Sequence, residues 1–455
     1  MELKDRHVAV IGMGTTGIAT ADFLVRRGAD VTCFDQKLRR DIADSGRFPE
    51  GTKIIDGWDG SAVGDYGLVV MSPGVPMSLR GVVSARGRGV EVISEVELAS
   101  RFTGKRIVAV TGTNGKTTTV TLLGQMLGNA GIKAGIGGNI GTPFIQLVRD
   151  DDRYDLYLLE LSSYQLEGIV HLTPWIAGLL NITDDHLDRY ESMDEYAKAK
   201  FRIFMNQTAD DYAVINADDK NIVKNKRSIR AKPYCFTTGR RTRRGASYKD
   251  GLIVYADGCG GRSTFETENP SLRGMHNVQN VMMCVIMARL LDVPESVIQT
   301  TIAGFRGLPH RIELVADIGG VGYYDDSKAT NVDAVVVALK SFSAPVILIM
   351  GGRDKGGDYG PLSRLIEEKV KLVLVMGEAR ERITASLEGL VDIVPVDSME
   401  SAVSAARRAA VKGDVVLLSP ACSSFDMFRD YKHRGDVFKA AVERLKGGGG
   451  AHERL

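Results

Sequence analysis

Short apolar runs punctuate this chain, and each ends in glycine or polar residues. His7-Val8-Ala9-Val10-Ile11 predicts a buried strand. Gly12-Met13-Gly14-Thr15-Thr16-Gly17 predicts the turn after it, and Ile18 to Arg27 a helix. Asp30 to Phe34 reads as a second strand ending at Asp35, and Leu68 to Met71 as another. Ser72-Pro73-Gly74-Val75-Pro76 stops that strand, since proline cannot donate to a sheet ladder.

The pattern repeats twice. From about residue 95, strands are predicted at Ile107 to Val110, Leu156 to Leu159 and Ile176 to Leu180. From about Gly307, they are predicted at Val346 to Met350, Leu372 to Met376 and Val415 to Leu418. Unbroken apolar runs mark strands covered on both faces, as in parallel sheets flanked by helices. The expectation is three α/β units, each with a loop-rich ligand edge at the C-terminal ends of its strands.

Composition narrows the class. The 455 residues suffice for two to four domains, and 44% hydrophobic with 25% charged residues suits a soluble globular protein. A net charge of +1 gives no global field towards nucleic acid or membrane. Residues 224–244 are rich in Lys and Arg and read as a nucleic-acid patch or a solvated loop, the loop being favoured. No apolar run approaches the roughly 18 residues of a membrane span. The charged start Met1 to Arg6 lacks the apolar core of a signal peptide, and five scattered cysteines suit a reducing compartment. A cytoplasmic protein is expected.

The most informative chemistry lies directly after Ile107 to Val110. Thr111-Gly112-Thr113-Asn114-Gly115-Lys116-Thr117-Thr118 places a glycine loop between a strand and a helix. Backbone N–H groups and the helix dipole at such a junction cradle phosphate; Lys116 would reach the terminal phosphates and the Thr117 hydroxyl Mg²⁺. The spacing is two residues tighter than the common form of this loop. An ordinary glycine-rich strand-to-helix turn is the plainer alternative.

Other polar clusters fall on strand ends. Glu160 could ligand a hard cation, or complement a helix start. Asn181 to Asp188 carries three acids and His186, fit for a metal or for a solvated turn. Lys200 reads, by composition, as an exposed helical lysine. Asp325 to Asn331 and Gly351 to Gly357 mix acid, base and hydroxyl as an anionic substrate would require. Gly12-x-Gly14-x-x-Gly17 followed by Asp35 also fits a nicotinamide dinucleotide site, and the phosphate loop alone would fit a non-catalytic nucleotide switch.

Taken together these segments resemble the Mur ligase family. The residues that carry the resemblance are Gly112-Thr-Asn-Gly-Lys-Thr-Thr118, Gly138-Asn-Ile-Gly141, Glu160-Leu-Ser-Ser163 and Asn181-x-x-x-Asp-His-Leu-Asp188. Further on come His276-Asn277-x-x-Asn280, Gly307-Leu-Pro-His-Arg311, Asp326-Ser-Lys-Ala-Thr-Asn331 and Ser419-Pro-Ala-Cys-Ser-Ser-Phe-Asp426. The earlier motifs are shared with folylpolyglutamate synthase; the last two point to the branch that adds D-glutamate. The resemblance implies a Rossmann-like domain over 1–94 that binds a UDP substrate. It implies a P-loop-ATPase-like central domain over 95–305 with a parallel sheet. A Rossmann-like domain over 306–455 would bind amino acid and ATP.

It further implies ATP-dependent joining of D-glutamate to UDP-N-acetylmuramoyl-L-alanine through an acyl phosphate, in peptidoglycan precursor synthesis. A sister Mur-type ligase, or a ligase like folylpolyglutamate synthase, with a different acceptor is the alternative. Thr15, Thr16, Asp35, Ser72 and Asn139 would contact the UDP-sugar. Gly112, Thr113, Asn114, Gly115, Lys116, Thr117 and Thr118, with Asn280, Arg311 and Asp326, would bind ATP. Thr117, Glu160, His186 and Lys200 would hold two Mg²⁺, Lys200 as a carbamate formed with CO₂. Thr330, Lys355, Ser424, Phe425 and Tyr431 would frame D-glutamate, and Lys116, Glu160, His186, Lys200 and Lys328 would serve catalysis. A cytoplasmic monomer with small-molecule partners, no nucleic acid and no membrane span is implied.

Overall fold

The computed structural model describes residues 1–42, 48–183, 190–239, 241–272, 274–354, 356 and 358–447. They form an α/β protein built on three sheets. In the first, β1 (His7–Ile11), β2 (Asp30–Phe34), β3 (Lys53–Ile55), β4 (Leu68–Met71) and β5 (Glu91–Ser94) run parallel in the order β3-β2-β1-β4-β5. The predicted strands at 7–11, 30–34 and 68–71 are recovered with those bounds.

The first helix begins earlier than the glycine pattern suggested, at Thr15 rather than Ile18, and spans Thr15–Val25. The third glycine of the turn thus lies inside the helix. A Cβ on Gly17 would sit 1.9 Å from the Gly12 carbonyl oxygen, so only glycine lets the helix start this close to the strand end.

The second sheet contains β6 (Arg106–Thr111), β7 (Ala134–Gly138), β8 (Leu156–Glu160), β9 (Ile176–Leu179), β10 (Tyr212–Asn216), β11 (Lys232–Thr237), β12 (Gly245–Lys249), β13 (Leu252–Ala256) and β14 (Arg262–Glu266). Its order is β14-β13-β12-β11-β10-β9-β6-β8-β7. Pairing is parallel from β7 to β12 and antiparallel only in the β12-β13-β14 edge. The basic stretch leads into this edge through β11 and the turn to β12.

The third sheet comprises β15 (Glu313–Ile318), β16 (Val321–Asp325), β17 (Val346–Gly351), β18 (Val370–Met376), β19 (Asp392–Pro395) and β20 (Val415–Leu418), ordered β15-β16-β20-β17-β18-β19. It is parallel except for the β15-β16 hairpin.

Two compact units result. Met1–Thr267 with Gln279–Ala303 holds the first two sheets; Glu268–Val278 with Gly304–Leu455 holds the third. One hydrophobic core runs from Val8, Val10 and Leu68 of the first sheet to Ala109, Leu159 and Ala177 of the second. The third sheet is buried between two cores of its own, one around Leu348 and Val375 and one around Ile349 and Phe438. Among the described residues no helix is long and apolar enough to cross a membrane.

Candidate active site

In the first unit, β6 ends at Thr111 and the helix Lys116–Asn129 follows the glycine loop. Gly115 precedes the helix with φ +87°, and a Cβ there would lie 2.3 Å from Asn280 Oδ1. Conformation and space therefore both require glycine. They also place Asn280, itself buried, against the loop. The loop is held from the side by Asn181, whose Oδ1 accepts from the Asn114 N–H at 2.8 Å and whose Nδ2 donates to the Asn114 carbonyl at 3.0 Å. Thr113 N–H donates to the Asn181 carbonyl at 3.0 Å.

Lys116 Nζ donates to the carbonyls of Gly112 and Thr113 at 2.8 and 2.9 Å, so its charge lies over the loop. Thr117 Oγ1 donates to Glu160 Oε2 at 2.9 Å, and Asn139 Nδ2 donates to Glu160 Oε1 at 3.0 Å. Glu160 is the last residue of β8 and is buried. A carboxylate beside the hydroxyl of the phosphate loop is the oxygen donor set a hard divalent cation takes. The Thr118 hydroxyl is buried without a hydrogen-bond partner among the described residues, as a donor awaiting a phosphate oxygen would be. Both observations fit Mg²⁺ and a nucleotide phosphate.

Lys200 departs from the exposed lysine its composition suggested. It is 1% exposed, on the helix Met193–Phe201, and donates to the Gly112 carbonyl at 2.9 Å. Its ammonium lies 4.4 Å from the centre of the Tyr196 ring, one turn earlier on the same helix. Tyr196 OH in turn meets Thr113 Oγ1 at 3.3 Å. Packing against the loop, which sequence periodicity does not register, buries this side chain. His186, the remaining expected metal ligand, lies outside the described residues.

The expected UDP-sugar residues line one cleft of about 710 Å³ in the same unit. Thr15, Thr16, Asp35 and Ser72 come from the C-terminal edge of the first sheet, and Asn139 from the loop after β7. Asp35 accepts the Met13 N–H at 2.7 Å and the Lys37 N–H at 2.9 Å, and so also shapes the glycine turn. Ser72 Oγ donates to the Gly12 carbonyl at 2.9 Å. Asn139 thus both lines the cleft and bonds Glu160.

The second unit carries its own cluster. Asp326 follows β16 and is buried; Ser419 Oγ donates to its Oδ2 at 2.8 Å and the Ile312 N–H to its Oδ1 at 3.3 Å. Burial pushes its carboxyl up to about 7, against the pull of Ser419 and Arg311. Arg311 Nε is buried without a hydrogen-bond partner among the described residues. His276 is pushed down to about 4 by burial and by Arg311, and so stays neutral. His310 and Ile312 flank Arg311 with φ of +62° and +47°, a strained conformation for a β-branched residue. His310, Glu313 and Asp325 cluster closely, but Lys439 Nζ already lies 2.6 Å from Glu313 and supplies the cation there.

Lys328 Nζ lies 5.5 Å from the centre of the Tyr431 ring, and Thr330 N–H donates to the Lys328 carbonyl at 2.9 Å. Ser424 is buried, and Phe425 is 62% exposed. Lys355 lies outside the described residues.

Sequence reasoning missed the residue that organises this edge. Arg434 is 1% exposed and donates to Ser327 Oγ (2.9 Å) and to the carbonyls of Ser327 (2.8 Å), Cys422 (3.1 Å), Gly351 and Ser423 (both 3.4 Å). One guanidinium therefore joins the loops after β16 and β20 to the end of β17. Burial pushes it down to about 10, still charged at neutral pH.

Three family models cover most of the chain. They are the Mur ligase MurD-like N-terminal domain over residues 6–94, the Mur ligase middle domain over 110–288 and the Mur ligase glutamate ligase domain over 310–422. UDP-N-acetylmuramoylalanine--D-glutamate ligase of Geotalea daltonii is 42% identical over 461 residues, covering 98% of this chain and 99% of the relative. The Pelobacter propionicus protein of that name is 44% identical, covering 98% and 100%. Among solved structures, a pseudomurein peptide ligase type C from Methanothermus fervidus superposes with TM-score 0.62 at 17% identity, covering 97% of this chain and 100% of the other. UDP-N-acetylmuramate-alanine ligase from Thermotoga maritima gives TM-score 0.58 at 19% identity, covering 97% and 99%.

Proposed function

The chain belongs to the Mur ligase family, and from that premise we infer that it is an ATP-dependent ligase joining D-glutamate to UDP-N-acetylmuramoyl-L-alanine. The observation that carries the reading is the pair of hydrogen bonds on Glu160. One comes from Thr117 of the phosphate loop and one from Asn139 of the nucleotide-sugar cleft. That pair adjoins a phosphate site to the cleft that would hold the carboxylate to be activated.

The L-alanine carboxylate oxygen attacks the γ-phosphorus of ATP, forming an acyl phosphate and releasing ADP. The D-glutamate amine then attacks the acyl carbon; the C–O bond to phosphate breaks, an amide forms, and the amine proton leaves to solvent or base. Anions meet in the first step, so the protein mainly positions groups and offsets charge. Lys116 and the N–H groups of Gly112 to Thr118 would hold the phosphates. Thr117 and Glu160 would hold one Mg²⁺, and Glu160, His186 and carbamylated Lys200 the other. Mg²⁺ bound there supplies charge neutralisation of the phosphate oxygens. A carbamate on Lys200 would replace its positive charge with the carboxylate-like oxygens that such a cation takes.

Asn280, Arg311 and Asp326 would bind the rest of the nucleotide. Lys328, Thr330, Lys355, Ser424, Phe425 and Tyr431 would frame D-glutamate, and Thr15, Thr16, Asp35, Ser72 and Asn139 the UDP-sugar. The domains over 1–94, 95–305 and 306–455 divide these tasks. Consumption of ATP in peptidoglycan precursor synthesis supports a cytoplasmic location. An ¹⁸O label in the L-alanine carboxylate tests the chemistry. The reading requires one labelled oxygen in the released phosphate; unlabelled phosphate rules out the acyl phosphate.

A further inference from the structure

Glu95 is a buried acid that the reaction above does not use. It opens the helix Glu95–Ser100, at the point where the chain leaves β5 of the first sheet for the second. It is 1% exposed; its Oε1 accepts the Ile145 N–H at 2.6 Å and its Oε2 has no hydrogen-bond partner among the described residues. The helix Phe144–Arg149 has no side-chain cap of its own, because Pro143 occupies the capping position. Glu95 therefore supplies from a distant segment the acceptor that this helix start lacks. The carboxyl is pushed up to about 7 by burial, against the pull of the Ile145 and Phe144 N–H groups. An acid kept where burial opposes its charge calls for a reason beyond packing.

That helix bears on the cleft from both ends. Before it runs the Gly138–Thr142 loop, closed by the Gly138 N–H on the Thr142 carbonyl at 3.0 Å. The loop packs closely on its neighbours: a Cβ on Gly137 of β7 would lie 2.2 Å from the Thr142 carbonyl oxygen, and one on Gly138 2.4 Å from that of Glu160. Displacement of Phe144 is thereby passed to Asn139, which lines the cleft and bonds Glu160. At the helix's other end Arg149 pairs with Asp22 at 3.5 Å. Asp22 belongs to the helix Thr15–Val25, whose first residues Thr15 and Thr16 form another wall of the same cleft.

We propose that Glu95 is a positioning residue for the nucleotide-sugar site: by holding the start of the helix Phe144–Arg149 it fixes the loop that presents Asn139 to the UDP substrate. The proposal rests on the functional reading above. The carboxylate does not line the cleft and bonds the helix start, not the glycine loop, so its removal should weaken the UDP ligand and spare the other.

Calorimetric titration of the full-length protein with UDP-N-acetylmuramoyl-L-alanine, and separately with a non-hydrolysable ATP analogue, tests this for wild type, Glu95→Ala and Glu95→Gln. Loss of a helix cap translates into about tenfold weaker UDP-substrate binding for Glu95→Ala, with the ATP analogue within about twofold of wild type. Glu95→Gln, which keeps a carbonyl acceptor for Ile145, should restore most of that loss. Equal weakening of both ligands, unchanged binding of both, or failure of both variants to fold would reduce Glu95 to a folding role and overturn the proposal. Wild-type protein that binds the ATP analogue but not the UDP substrate would instead remove the functional reading on which the proposal stands.

Discussion

Lys200 Nζ lies 2.9 Å from the carbonyl oxygen of Gly112, which sets a buried lysine against the first glycine of a phosphate loop 88 residues earlier in the chain. A lysine so placed packs directly on the glycine loop. Lys200→Ala is expected to be inactive, and added formate or acetate to restore part of the rate by standing in for the carbamate. An unchanged rate in the variant removes Lys200 from the site. Inactivity without rescue keeps it there and removes the carbamate.

Lys116 places its charge over the Gly112 and Thr113 carbonyls, where the phosphates would lie. Removing one such charge partner typically raises a barrier by about 3 kcal/mol, about a hundredfold in rate. Lys116→Ala should therefore lose at least that factor in kcat, with unchanged circular dichroism and Tm. Near-normal turnover contradicts the phosphate assignment.

Arg434 donates to carbonyls on two loops and at the end of β17, and truncation takes its donors from the buried carbonyls of Ser327 and Cys422. Arg434→Ala is expected to destabilise the second unit by about 3 kcal/mol, read by denaturant unfolding. Its KM for D-glutamate should rise more than its KM for the UDP substrate, because the loops it joins carry Ser424 and Lys328. A stable variant with unaltered KM values would show the loops to be held by other means.

Asp326 makes the stability pH-dependent in a definite direction. Its unfolded value is about 3.9 and its folded value is raised to about 7. Between those values the folded chain keeps a proton that the unfolded chain releases. Stability therefore falls as pH rises through this window, and the full penalty is present above about pH 7. Asp326→Asn removes the penalty. Its Tm should gain on wild type between pH 5 and pH 8, measured by scanning calorimetry. A Tm difference that is flat with pH, or that moves the other way, contradicts the burial argument.

The strands were legible because burial on both faces writes itself as unbroken apolar runs: His7–Ile11 and Val415–Leu418 end where the pattern ends. The glycine loop was legible because backbone conformation dictates residue type, as Gly115 illustrates. The burial of Lys200, which only the family resemblance singled out, and that of Arg434 were not, since periodicity records local exposure and both are buried by segments far away in sequence. Asn139 was assigned to the cleft; its bond to Glu160 joins two loops that no local pattern relates. The helix at Thr15 was set three residues late because glycines were read as turn, whereas Gly17 serves close packing inside the helix.

The central claim is the identity of the joined partners. Phosphate release from ATP with UDP-N-acetylmuramoyl-L-alanine should be measured with each amino acid supplied singly, and the product weighed by mass spectrometry. The account predicts release that requires D-glutamate, with one new amide of matching mass and one phosphate per amide. Release that requires a different amino acid, or that proceeds with none, contradicts it.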